Sequence, residues 1–153
     1  MKGYLMVDRE WVPGEDLFLE SVSPENQFAV VLEYDGETLY FYAVERDMEG
    51  PGMRVLDALH IWQRQQDGGR EEPNGRTEEP DEGREEANER PVRLQVFWSR
   101  DWQKCALVID GRCHAAFDLE AHGGYNINEF PPPNEHWTHG DRKLTDEIID
   151  RLF

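Results

Sequence analysis

The chain has 153 residues, enough for about one domain, and carries 33 Asp and Glu against 16 Lys and Arg, a formal charge of -17 with a pI of about 4.5. That balance repels phosphate backbones and anionic headgroups, so it argues against nucleic acid and membrane as partners. No apolar stretch approaches the ~18 residues of a spanning helix. The opening apolar run ends at Asp8, too short for a signal-peptide core, so a single cytoplasmic domain spanning 1–153 is expected.

The first half reads as strands. Leu17-Phe18-Leu19-Glu20-Ser21-Val22 and Gln27 to Tyr34 flank the turn chemistry of Ser23-Pro24-Glu25-Asn26, and Asp35-Gly36 leads into Thr38-Leu39-Tyr40-Phe41-Tyr42-Ala43-Val44-Glu45. Two β-rich, aromatic-rich runs around Asp-Gly form the strongest short hairpin signal, so a three-strand antiparallel meander is expected. Beyond Gly50-Pro51-Gly52, the three-residue spacing of Leu56, Leu59 and Trp62 favours a short amphipathic helix over Met53–Arg64, with a strand through Leu59-His60-Ile61-Trp62 as the alternative.

From Asp67 to Pro91 the composition changes. Ten acidic and four basic residues, four Gly and three Pro accompany Ala87 as the single aliphatic side chain. Such a segment buries too little apolar surface to offset the entropy of ordering it, so a disordered acidic loop inserted in the domain is expected. It holds -6 of the -17 and leaves -11 on the remainder.

The second half repeats the hairpin logic. Val92 to Trp98, the polar turn Ser99 to Gln103, Lys104 to Ile109, then Asp110-Gly111 and Arg112 to Leu119 predict three more strands. A tight turn at Asp110-Gly111 pairs Val108 with Cys113, Leu107 with His114 and Cys105 with Ala116, which puts the two cysteines on opposite faces. Both thiols are then expected to be free, because a disulfide needs Cβ atoms about 4 Å apart. The terminal run places Leu144, Ile148 and Leu152 one helical turn apart, beside Ile149 and Phe153, with Thr145 or Asp141 as the N-cap. The fold class is therefore α+β, a mainly antiparallel sheet built from hairpins and meanders, with one or two short helices including a C-terminal one. Crossover helices for a parallel sheet are missing.

Four of the five histidines, His114, His122, His136 and His139, fall in one stretch with Asp118, Glu120, Glu135 and Asp141. Imidazoles and carboxylates can hold zinc or similar metals. The spacing matches no standard site, however, and His136 and His139 remain the weak metal candidates. His114 and Asp118 share a strand face but lie about 13 Å apart, too far to cooperate. Neither a phosphate loop nor a nucleophile elbow is present, so no catalytic residue and no cofactor are assigned. More informative is Tyr125 to Trp137, where Pro131-Pro132-Pro133 stiffens a loop between large aromatics. Tyr125, Asn128, Phe130, Pro132 and Trp137, with Trp102 in the earlier turn, are the candidate partner-binding residues. The same aromatics could instead pin the loop to its own sheet.

The ordered series Asp57-Ala58-Leu59-His60-Ile61, Trp98-Ser99, Ala106-Leu107-Val108-Ile109, His114-Ala115-Ala116-Phe117-Asp118 and Asn128-Glu129-Phe130-Pro131-Pro132-Pro133 followed by Trp137 resembles the bacterial domain of unknown function 2251 family, from about Leu17 to the C-terminus. The resemblance implies a small bacterial single-domain protein without an established activity, and no catalytic residue carries over. High acidity without a catalytic constellation favours a non-catalytic protein-binding module, such as an immunity or inhibitor protein for a basic partner. The alternatives are a small metal-assisted enzyme using the His114–Asp141 region and a housekeeping peptide-binding domain.

Overall fold

The computed structural model describes residues 3–47, 49–64, 90–132 and 141–153. Among the described residues nine strands form two sheets, all of their strand pairs antiparallel. β2 (Leu17–Val22), β3 (Phe28–Tyr34), β4 (Thr38–Arg46) and β5 (Met53–Gln63) make a four-stranded meander. β1 (Tyr4–Trp11), β6 (Val92–Trp98), β7 (Lys104–Ile109), β8 (Arg112–Asp118) and β9 (Gly123–Asn126) make the second sheet in that order. Among the described residues one helix, α1 (Asp146–Leu152), follows at the C-terminus. The protein is thus mostly antiparallel sheet with a short C-terminal helix, an α+β fold.

Local chemistry sets the turns. Ser23 Oγ accepts from the N–H groups of Glu25 and Asn26, and Asn26 Oδ1 accepts from Phe28 N–H, which closes the β2–β3 turn. Asp35 Oδ1 accepts from the N–H groups of Glu37 and Thr38 and so organises the β3–β4 turn. Thr145 caps α1, its side chain accepting from Ile148 N–H at 3.2 Å.

The sheets share one core. Val30, Leu32, Leu39, Phe41 and Leu59 from the meander pack with Leu94, Val96, Trp98, Leu107 and Phe117 from the other sheet. Phe41 and Phe117 stack with ring centroids 5.3 Å apart. Trp98 Nε1–H donates to Ser21 Oγ at 2.9 Å, which satisfies the indole of a fully buried side chain. Trp11 of β1 meets Tyr34 and Trp62 of the meander at 5.5 and 5.6 Å. The outer side of β7 to β9 is covered by α1, whose Ile148 and Leu152 pack with Ala106, Ala116, Cys113 and Tyr125.

Three sequence readings change. Met53–Gln63 is a strand, not a helix. The register against β4 skips Leu56 and Ile61, so two bulges interrupt the two-residue alternation and leave a three-residue apolar spacing that mimics a helix. In the β7–β8 hairpin the register skips His114, so Leu107 faces Ala115 and Cys105 faces Phe117, one residue from the expected pairs. Cys113 precedes that bulge and packs toward α1, whereas Cys105 lies in the central core, so the two free thiols are still on opposite faces. Strands β1 and β9 were not foreseen, because their apolar patterns are short and interrupted. The expected acidic loop at 67–91 lies, except for Arg90 and Pro91, outside the described residues.

Candidate functional site

The outward side of the meander forms a regular grid. Cross-strand pairing gives one row of Phe18, Glu33, Tyr40 and His60, a second of Glu20, Val31, Tyr42 and Ala58, and a third of Val22, Ala29, Val44 and Val55. The middle is small and apolar, with Ala29, Val31 and Val44 buried and Tyr42 packed against them. The margins are not: Phe18 is 59% exposed and Val55 60%. Two carboxylates and no lysine or arginine stand among these twelve positions.

Aromatic rings continue this face onto the loop after β9. Tyr40 stacks on Tyr42 at 5.7 Å, meets His60 edge-on at 5.6 Å, and His60 meets Phe130 edge-on at 5.8 Å. Phe130 itself is 50% exposed. Burial raises the Tyr42 phenol above its ordinary pKa, and the carboxylates of Glu33 and Asp35 push it further in the same direction. The phenol therefore stays neutral and keeps its hydroxyl hydrogen.

A polar network holds the loop in place. Asn128 Oδ1 accepts from Phe130 N–H and from Asn126 Nδ2, both at 3.0 Å. Its Nδ2 is thereby directed at His60 Nδ1, 2.8 Å away, an orientation in which the imidazole nitrogen accepts. The fully buried Asn126 also donates to the carbonyls of His60 and Phe130, at 2.9 and 2.8 Å.

Beneath this network lies a buried ion pair. Arg142 Nη2 donates to both carboxylate oxygens of Asp57, and Nη1 donates to the carbonyls of Ala58 and Pro131 at 3.2 and 3.1 Å. Burial raises the Asp57 carboxyl above its ordinary value, and the Arg142 charge and hydrogen bonds offset part of that. Gly124 permits the approach, since a Cβ there would sit 2.5 Å from Asp57 Oδ2. The guanidinium joins β5, the 126–131 loop and the segment before α1. Through the Pro131 carbonyl it ties the residue after Phe130 to Ala58 of β5, and it is itself closed to solvent.

The sequence candidates separate into different places. Asn128 and Phe130 join the grid through His60. Tyr125 packs under α1, with Arg151 Nη2 donating to its hydroxyl at 3.4 Å, and so belongs to the covered side. Trp102, in the β6–β7 turn at φ 61°, stacks on Tyr4 at 5.0 Å, and its carbonyl accepts from Asn26. Pro132 is exposed. Trp137, His136 and His139 lie outside the described residues. Within the metal-candidate stretch, His114 Nδ1 lies 2.9 Å from the Arg112 carbonyl, and Asp118 Oδ1 accepts from Ala121 N–H. Among the described residues no three His, Cys, Asp or Glu side chains gather as a metal site. Sequence reading missed Phe18, Tyr40, Tyr42 and His60 as a surface. The alternation in Thr38-Leu39-Tyr40-Phe41-Tyr42 already put the two tyrosines on one face, but the helical reading of Met53–Arg64 hid His60.

An open hollow at the β4–β5 end, lined by Arg46, Asp47, Met53 and Arg54, offers less. Arg54 pairs there with Glu45, and Arg46 donates to the carbonyls of Ser23 and Asn26. No described helix is long and apolar enough to cross a membrane.

These features define an α+β domain of two facing antiparallel sheets, one outer side covered in part by a helix and the other bearing an aromatic and acidic grid. The chain belongs to the DUF2251 family, described as an uncharacterized protein conserved in bacteria, which matches residues 11–153. An uncharacterized protein of Haemophilus influenzae (strain Rd) is 31% identical over 107 residues, covering 70% of this chain and 54% of that protein. The chain thus spans about half the length of this curated relative. No solved structure matches.

Proposed function

We propose that the protein is a non-catalytic binding module that occludes a basic protein partner, as an immunity or inhibitor protein does. The observation that carries this reading is the outward grid: exposed Phe18, Val55 and Phe130 frame a tyrosine pair and two carboxylates with no lysine or arginine among the twelve grid positions. Aromatic anchors supply contact area at low entropic cost, and a negative field speeds capture of a positive surface. The overall charge of -17 extends that field beyond the contact. A bacterial cytoplasm is the expected setting.

Native co-purification tests the reading. A stoichiometric basic protein should accompany the wild type at low salt and dissociate as salt rises. A F18S/F130S double variant that melts normally should lose it. Failure to recover any basic protein at low ionic strength, or equal recovery by the double variant, would overturn the proposal.

A further inference from the structure

We infer that the pair formed by Glu33 and Tyr40 on the grid is a recognition site for an arginine side chain of the partner, a conclusion that rests on the binding reading above. The two residues are directly opposed on β3 and β4, which places their Cβ atoms about 5 Å apart. A carboxylate and a phenol ring at that separation match the two binding modes of a guanidinium: a bidentate hydrogen-bonded fork to the acid and a flat stack on the ring. Glu33 has Phe18 on its other side in the same row. That apolar neighbour displaces water and so strengthens the attraction for a cation.

The rest of the row favours arginine over lysine. Tyr40 is held by Tyr42 along its strand and by His60 across it, so its ring is fixed before any partner arrives. A fixed ring favours a planar cation that sheds water cheaply, whereas an ammonium retains its hydration more strongly. Glu20, one row away and exposed, is a second carboxylate on the path by which a basic segment would approach. A second copy of this chain is a poor occupant, because it would bring the same two carboxylates to the contact.

The test uses the whole chain and three short probes, acetyl-Ala-Arg-Ala-amide and its lysine and citrulline counterparts, titrated with detection by NMR. The arginine probe should move the signals of Glu33, Tyr40, Tyr42 and His60 saturably, and the lysine and citrulline probes should bind at least about fivefold more weakly. E33Q should weaken the arginine probe by about tenfold, whereas E10Q, which removes the same charge from β1, should leave it unchanged. Should E33Q fail to melt cooperatively, Y40L carries the same expectation. Equal affinity for lysine, equal effects of E10Q and E33Q, or shifts scattered over the acidic surface would each overturn the inference. A basic partner captured equally by wild type and E33Q would sink this inference and leave the binding reading standing. Arginine-probe binding at Glu33 and Tyr40 with no basic partner in the cell would do the reverse.

Discussion

Arg142 grips Asp57 with two hydrogen bonds from Nη2, at 3.0 and 2.8 Å, across 85 residues of sequence and with both side chains shut off from water. The pair closes the sandwich where β5 and the 126–131 loop meet. Removing one member leaves the other as an uncompensated buried group, so D57N or R142M should cost about 3 to 5 kcal/mol in urea denaturation. Burial raises the Asp57 carboxyl despite the adjacent guanidinium, so the pair itself is costly to desolvate. The D57L/R142M double variant should therefore recover a large part of either single loss. A double variant as unstable as the sum of the singles would contradict this account.

Gly123 and Gly124 should respond differently to the same substitution. A Cβ at Gly124 meets Asp57 Oδ2 at 2.5 Å and the Phe117 ring at 3.0 Å, neither free to withdraw. At Gly123 the nearest atom is the Tyr125 hydroxyl at 3.0 Å, the far end of a half-buried side chain rather than a buried carboxylate. G124A should lower stability by about 1 to 3 kcal/mol, and G123A by clearly less. Thermal melts of the two variants side by side decide the point.

The cysteines predict an alkaline limit. Burial pushes the Cys113 thiol up to about 11 and Cys105 well above its ordinary value. Folded thiols keep protons that unfolded ones release, so this stability is complete below pH 9, the ordinary thiol value, and is lost as pH rises toward the folded values. For Cys113 a gap of two units corresponds to at most about 3 kcal/mol. Stability measured from pH 8 to 10.5 should fall with rising pH, and C113A should make the slope shallower whatever it does to stability at pH 8.

Surface and scaffold should be separable. Phe18 and Phe130 are half exposed or more, so F18S and F130S should each change stability by less than about 1 kcal/mol. Asn128 is different in kind: N128A removes the donor to His60 and the acceptor for Phe130 N–H and Asn126. Hydrogen exchange at Phe130 should accelerate in N128A while the core strands stay protected. Uniform acceleration across β3 and β4 would show the network to be part of the global fold.

The strands flanking Asp35-Gly36 and Asp110-Gly111 were legible in the sequence because alternation and turn chemistry act over a few residues. So were the terminal helix and its Thr145 cap, and the opposed faces of the two cysteines. Family membership followed from an ordered series of short motifs. Tertiary structure decided the rest. Bulges at Leu56, Ile61 and His114 shift register by one residue, and a shift of one reverses every later side chain. The order β1-β6-β7-β8-β9 joins strands more than 80 residues apart, which no local pattern encodes. Asp57 and Arg142 read separately as ordinary charged residues; only the closing of the sandwich made them partners. The grid likewise exists only because three hairpin registers bring Phe18, Glu33, Tyr40 and His60 into one row.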